Sequence, residues 1–397
     1  MSVNKKDYCT TIRRQVLSLG DLVEQQVENG FDVARLKELI PDGMDFDNRT
    51  VIMTGAGDCW AAAGVMKTLM SKFLDPYRCL APDAMEFARV MTAEDLAADD
   101  KNKPLLITMS VGGGTARVVE ATKKGQELGF EVIVITNKPE SRVGKSNEKV
   151  FPLNLPPSGD YDTPGLRSYF ALLMALAGLA YRIGVVRGLV KEDEVEKVKA
   201  EIIKYVKNYD FEKCDDEMFA LAKDWKKFEK FDFLGDDSCY YSALFGAEKF
   251  YEMSGTLNEF DDTENWNHID NLLSDPEEVG TVLNIDSRSN SYDRAVDTAN
   301  RAKEFNRPVL VITDGDKNDF LEGITVCSIP KAPENYSWMI SLVDFIPASL
   351  LSGFHGKLNG RLPFNSFDDK TGIFDPSTPF NDPDIVTRGS SKVEIHI

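Results

Sequence analysis

The chain has 397 residues, enough for two or three domains and for a core that needs no disulfide or metal staple. Hydrophobic residues make up 42% and charged residues 28%, the balance of a soluble globular protein. A formal charge of −19, from 46 basic and 65 acidic residues, argues against broad nucleic-acid or anionic-membrane binding, but an anionic small molecule can still be held by backbone N–H groups.

The N-terminus, Met1-Ser-Val-Asn-Lys-Lys-Asp7, is polar and lacks an apolar h-region, so no secretory signal is expected. None of the six cysteines forms a CxxC or stands at metal-type spacing from His268, His355 or His396. They are expected to be reduced, partly buried thiols of a cytoplasmic protein, with no metal site. Residues 5–42 read as amphipathic helix ending at Pro41-Asp-Gly43, within an N-terminal segment 1–48. An α/β domain over 49–190 follows, then charged helices over 191–228. A second α/β domain spans 229–350, and 351–397 is a tail. The apolar stretch 169–186 contains Arg182 and reads as a buried helix rather than a membrane span. Residues 353–383, rich in Gly, Pro, Asn and Asp, are expected to form an ordered loop or wrapping tail, and Lys392-Val-Glu-Ile-His-Ile397 a short strand.

The two domains read as a repeat at an offset near 180. Val51-Ile-Met-Thr54 runs into Gly55-Ala-Gly-Asp-Cys-Trp60, and Phe231-Asp-Phe-Leu234 runs into Gly235-Asp-Asp-Ser-Cys-Tyr240. Leu105-Leu-Ile-Thr108 pairs with Thr281-Val-Leu-Asn284, and Val132-Ile-Val-Ile-Thr136 with Val309-Leu-Val-Ile-Thr313. Short apolar strands alternating with helices indicate two tandem parallel sheets, each covered by helices on both faces as three αβα layers.

The most informative local motif is Ser110-Val111-Gly112-Gly113-Gly114-Thr115, between a strand and a helix. A Gly-rich turn there exposes N–H donors at the positive end of a helix dipole, and Ser110 and Thr115 add hydroxyls, which suits phosphate. A capped strand-to-helix turn is the other reading. Neither GxxxxGK[ST] nor GxGxxG fits.

This motif, with Val118-Val-Glu-Ala121, Gly129 and Val132-Ile-Val-Ile-Thr-Asn137, resembles the phosphate loop of the sugar isomerase (SIS) domain family, S-x-S-G-x-T. The tandem arrangement resembles double-SIS proteins such as the isomerase half of glucosamine-6-phosphate synthase and the fructosamine-6-phosphate deglycases. Gly57, Asp58 and Cys59 fall where that family completes its phosphate site. Gly112 replaces a serine there, and Asp58 and Cys59 replace hydroxyl residues. An ionised Asp58 facing phosphate would repel it, so Asp58 points away, or binds a ligand hydroxyl or amine, or the ligand is not a standard sugar phosphate.

The same resemblance implies the chemistry. Ala247-Glu-Lys-Phe-Tyr-Glu-Met-Ser254 is similar to A-x-K-x-x-E-x-S, whose glutamate, here Glu252, moves a proton between C1 and C2 of an open-chain sugar. His268, sixteen residues on, is implied to open the ring, with Glu259 in the connecting loop. Arg388-Gly-Ser-Ser-Lys392 is similar to the family's C-terminal R-x-x-x-K, whose lysine enters the active site. Thr163, Arg167 and Ser168 are implied to line it. Ser287-Arg-Ser-Asn-Ser-Tyr292 lacks glycine, so one cradle and one catalytic set suggest one composite site. The resemblance further implies a homodimer with shared sites and aldose–ketose isomerisation or deglycation of a sugar phosphate, with no cofactor. A sugar-phosphate sensor without catalysis is the alternative.

Overall fold

The computed structural model describes residues 5–8, 10–96, 101–157, 163–368, 371–375, 377–379 and 392–397. In chain order the helices are α1 (Thr11–Leu17), α2 (Leu19–Gly30), α3 (Val33–Leu39), α4 (Asp58–Ser71), α5 (Ala116–Glu127), α6 (Arg167–Val186), α7 (Glu192–Lys207), α8 (Phe211–Asp224), α9 (Ser238–Ser254), α10 (Thr263–His268), α11 (Tyr292–Glu304) and α12 (Ile346–Leu358). The first sheet holds β1 (Val51–Thr54), β2 (Cys79–Leu80), β3 (Leu105–Met109), β4 (Glu131–Thr136) and β5 (Val150–Pro152). The second holds β6 (Lys230–Leu234), β7 (Leu257–Asp261), β8 (Val279–Ile285), β9 (Val309–Thr313) and β10 (Thr325–Ser328).

The chain forms two compact units. The N-terminal unit comprises Leu22–Pro156, Arg167–Ile203 and Val386–Ile397, and the C-terminal unit Met1–Asp21, Pro157–Leu166 and Lys204–Ile385. The segment expected as one N-terminal piece is thus divided within α2.

The first sheet runs β2-β1-β3-β4-β5 and the second β7-β6-β8-β9-β10, all pairs parallel. Matching strands in sequence order gives the same 2-1-3-4-5 arrangement in both units, so the repeat seen in the strand segments extends to topology. The central strands carry β-branched and aliphatic residues without alternation because helices cover both faces; every residue of β1, β3, β8 and β9 is buried.

The repeat also shows in backbone conformation. Gly57, preceding α4, has φ 57° and ψ −131°; Asp237, preceding α9, has φ 54° and ψ −121°. This is a glycine region, so Asp237 carries strain on the order of 1–3 kcal/mol that the surrounding turn imposes. The strand-to-helix step is so tight that a Cβ at Gly55 would lie 2.4 Å from Cys59 Cβ, and one at Gly235 would lie 2.3 Å from the Cys239 carbonyl oxygen. Cys59, Cys79, Cys214, Cys239 and Cys327 are buried thiols outside any disulfide among the described residues.

Residues 169–186 lie in α6, which is apolar and long enough to cross a membrane but is buried along most of its length. Two expectations are corrected. Residues 353–358 are not irregular but continue α12, and Lys392-Val-Glu-Ile-His-Ile397 pairs with no strand. The physical reason for the second is that side chains, not a strand edge, satisfy this segment, as described below.

Candidate functional site

In the N-terminal unit, residues 110–115 join the carboxyl end of β3 to α5. Ser110 N–H donates to the Ile135 carbonyl at 3.0 Å, extending the sheet by one residue, and Asn137 N–H donates to the Val111 carbonyl at 3.1 Å. The chain then turns back, and Gly113 N–H reaches the Ser110 carbonyl and hydroxyl, both at 3.2 Å. Gly113 has φ +70°, and its carbonyl accepts Val143 N–H at 2.9 Å. Gly113 is buried, while Gly112 and Gly114 are exposed with open space where a Cβ would sit.

Thr115 is the N-cap residue of α5 but makes no side-chain cap bond; its hydroxyl lies 3.2 Å from that of Ser110. The first N–H groups of α5 are therefore left for something other than their own cap. Two adjacent hydroxyls, exposed glycine backbone and an uncapped helix N-terminus make an arrangement suited to an oxyanion.

Ser141 was not singled out from the sequence, yet it fixes this turn. A Cβ on Gly113 would fall 1.8 Å from Ser141 Oγ, and Ser141 Oγ accepts Gly144 N–H at 3.1 Å. Gly113→Ala is expected to destabilise the N-terminal unit by about 1–3 kcal/mol through the clash and the positive φ. Gly113→Ala/Ser141→Gly should recover part of that loss in denaturant unfolding, whereas Gly112→Ala should leave stability near wild type.

Gly57 is exposed, Asp58 is half-buried at the first position of α4, and Cys59 is buried against the Gly55 turn. Burial directs the Cys59 side chain into packing around Gly55 and leaves Asp58 as the polar group of this turn. Arg167 and Ser168 are buried at the start of α6, and Arg167 Nη2 donates to the Pro156 carbonyl at 3.1 Å. Lys392 belongs to this unit as well. Its side chain is 74% exposed and pairs with Glu394, and its carbonyl accepts from Arg117 in the first turn of α5. Arg388 lies outside the described residues.

The C-terminal unit carries the other expected groups. Glu252 lies in the last turn of α9 with its side chain 25% exposed, ion-paired to Lys249 one turn earlier. Lys249 is fully buried, with its ammonium 3.2 Å from the Gly165 carbonyl and 4.7 Å from the Phe245 ring centroid. Lys249 stood in the quoted motif without a role; the i, i+3 spacing is the signal that marks it as the partner of Glu252. Thr163 is half-buried. Glu259 lies on edge strand β7, exposed, not in a loop as expected, because Leu257-Asn-Glu-Phe-Asp261 pairs in register with β6.

His268 ends α10, which Asp262 caps by accepting Asn265 N–H at 2.7 Å. Its imidazole is 74% exposed and lies 3.2 Å from Glu264. Nearby Asp270 is pushed up to about 6 by burial and by Asp261.

The turn after β8 is the counterpart of residues 110–115. Asp286 stands where the other unit has Ser110, Ser287 N–H is taken by Asp314 at 2.8 Å, and the Ser289 and Ser291 hydroxyls pair at 2.9 Å. Burial and neighbouring Asp314 raise Asp286. Asp314 and Asp286 take the Ser287 and Arg288 N–H groups, and two carboxylates facing this turn make it unsuited to an anion.

No protein-family model matches the chain. The glutamine–fructose-6-phosphate aminotransferase (isomerizing) of Thermococcus kodakarensis is 24% identical over 314 residues, 79% of this chain and 50% of that protein. The chain thus spans about half the length of this curated relative. Among solved structures, the C-terminal domain of glucosamine-fructose-6-phosphate aminotransferase from Francisella tularensis superposes with a TM-score of 0.70 at 17% identity, covering 90% of this chain and 98% of that one. Tagatose-6-phosphate ketose/aldose isomerase from Escherichia coli gives a TM-score of 0.66 at 13% identity, covering 93% and 97%. Sequence and structure agree on the double-SIS architecture, two α/β SIS-type units in tandem, with resemblance to the isomerase half of the aminotransferase.

Proposed function

We propose that this chain binds a sugar phosphate and catalyses proton transfer between C1 and C2 of its open-chain form, as an aldose–ketose isomerase or a deglycase of amine-linked ketose phosphates. The phosphate is assigned to residues 110–115 and the first turn of α5, and the proton transfer to Glu252. The observation that carries the reading is the uncapped N-terminus of α5 behind the paired Ser110 and Thr115 hydroxyls. The names of the relatives, which concern fructose 6-phosphate and tagatose 6-phosphate, support the substrate class.

In this reading Glu252 takes a proton from the carbon beside the carbonyl and returns it to the neighbouring carbon, while a hydroxyl proton passes between the two oxygens. Lys249 beside it holds the carboxylate in place. His268, solvent-facing in one chain, is assigned to ring opening in a second copy of a homodimer. Lys392 is assigned to the carbonyl or ring oxygen, and Asp58 to a substrate hydroxyl or amine. Arg388, Glu259, Thr163, Gly57 and Cys59 remain assigned to lining positions.

Wild-type protein incubated with fructose 6-phosphate and amine-linked analogues in deuterated water should incorporate deuterium at C1 or C2, read by NMR. Saturable stabilisation by these ligands without any exchange would instead establish the sensor reading, which the exposed position of His268 favours.

A further inference from the structure

The C-terminal tip does not trail into solvent. Val393 packs against Ala84, Val118, Val119, Val134 and Val143. Beside it the Glu120 carboxylate, 1% exposed, gathers three basic or amide donors. Arg89 binds it through two nitrogens at 2.6 and 2.8 Å, Arg117 lies 2.9 Å away, and Glu394 N–H donates at 2.6 Å. Arg89 continues to the Glu394 carboxylate at 3.3 Å and the His396 ring at 2.8 Å. Arg117 in turn holds the Lys392 carbonyl. Burial alone would raise Glu120, but Arg89, the Glu394 N–H and Arg117 outweigh it and hold the carboxyl below its ordinary value. All these groups belong to the N-terminal unit, and α5 begins one residue after the loop 110–115.

We propose that Glu120, aided by Arg89, is a positioning residue that docks the chain's own C-terminal tip on α5 and so fixes Lys392 beside the first turn of that helix. A buried carboxylate with two guanidinium partners is a rigid anchor, since bidentate charge-assisted bonds set orientation as well as attachment. Glu120 spends one of its oxygens on a backbone N–H of the tip, so the anchor reads the tip's main chain two residues past Lys392. The docking itself is independent of any reaction; the role of Lys392 rests on the function proposed above.

Two readouts test this. In hydrogen exchange, the Glu394 amide, which donates to Glu120, should be protected at least about tenfold in the wild type and lose most of that protection in Glu120→Gln, which keeps the side chain's size but not its charge. In turnover of a hexose 6-phosphate, Glu120→Gln should lower kcat by about tenfold or more, with KM changed less than about threefold. Removing residues 393–397 leaves the sequence of α5 and the Arg89–Glu120 pair in place and should reproduce the kcat loss, and the combined variant should lose no more than either alone. Persistent protection in Glu120→Gln, or wild-type kcat after truncation, would overturn the proposal. A wild-type protein that turns over no sugar phosphate would refute the catalytic reading, while the exchange experiment would still decide the docking.

Discussion

Replacing Glu252 by Gln is expected to lower deuterium exchange at C1 and C2 by about 10²–10⁴-fold, the usual contribution of a positioned general base. Affinity for a hexose 6-phosphate should change less than about threefold, because its phosphate is assigned to residues 110–115. The substitution also acts on stability. Lys249 is fully buried and would face an amide in place of a carboxylate, keeping the Gly165 carbonyl and the Phe245 ring. Removing one partner of a buried pair costs about 3–5 kcal/mol; with Glu252 25% exposed, a loss of about 1–3 kcal/mol is expected. The Lys249→Met/Glu252→Gln double variant, which removes both charges, should regain much of that stability without regaining exchange. Exchange at more than about a tenth of the wild-type rate in Glu252→Gln would remove this residue from the chemistry. Recovery of exchange in the double variant would show that misfolding, not loss of the base, explained the single one.

The parts of this structure legible in the sequence are those that local chemistry dictates. Val51-Ile-Met-Thr54 and Val309-Leu-Val-Ile-Thr313 have no polar face, so they read as strands covered on both sides, which they are. The glycine turn before α5 was legible because Gly113 requires a positive φ and Gly112 and Gly114 keep the backbone open. Edge strands were not legible. β2 has two residues and β5 three, and β7, at the edge of its sheet, carries three polar residues in Leu257-Asn-Glu-Phe-Asp261 and no apolar run. α12 was misread because Gly353 and Gly356 looked like loop residues. Here they permit close packing instead: a Cβ at Gly356 would fall 2.0 Å from the Met253 carbonyl oxygen, and one at Gly353 2.8 Å from Thr10 Oγ1. The candidate residues were legible as types at spacings, but not in their surroundings. Sixteen residues separate Glu252 from His268, yet nothing in that spacing says that one is paired with a buried lysine and the other is solvent-facing. Likewise Glu120 stands in the sequence only as part of Val118-Val-Glu-Ala121, and nothing local places upon it the tip, which is far away in the chain.

Two buried groups of the C-terminal unit should give opposite pH dependences of stability that largely cancel in the wild type. Asp344 is 1% exposed and is pushed up to about 7 by burial, opposed by the Ser242 hydroxyl and reinforced by Asp286. His355 is fully buried beside Phe231, Phe250 and Ser254, and is pushed down to about 4 by burial and by Arg361, opposed by Glu229. Between about pH 4 and 7 the folded state holds a proton on Asp344 that the unfolded chain has released, so stability falls as pH rises. Between about pH 6.5 and 4 the unfolded chain protonates His355 while the folded state does not, so stability falls as pH drops. Each effect amounts to about 3–4 kcal/mol across its window, at 1.36 kcal/mol per unit. Asp344→Asn therefore leaves only the histidine effect and should lose about 4 kcal/mol relative to wild type on going from pH 7 to pH 4, the aspartate contribution it lacks. His355→Gln leaves only the aspartate effect and should lose about 3 kcal/mol relative to wild type over the reverse change, the histidine contribution it lacks. Urea midpoints at several pH values, taken as differences from wild type, subtract the repulsion of a chain with 19 excess negative charges, since all three proteins share it. Parallel profiles for the wild type and both variants would mean that neither group changes its protonation on folding as the structure requires. Opposite slopes would show that an uncharged acid and an uncharged imidazole are built into the same unit, where each hides the other's titration.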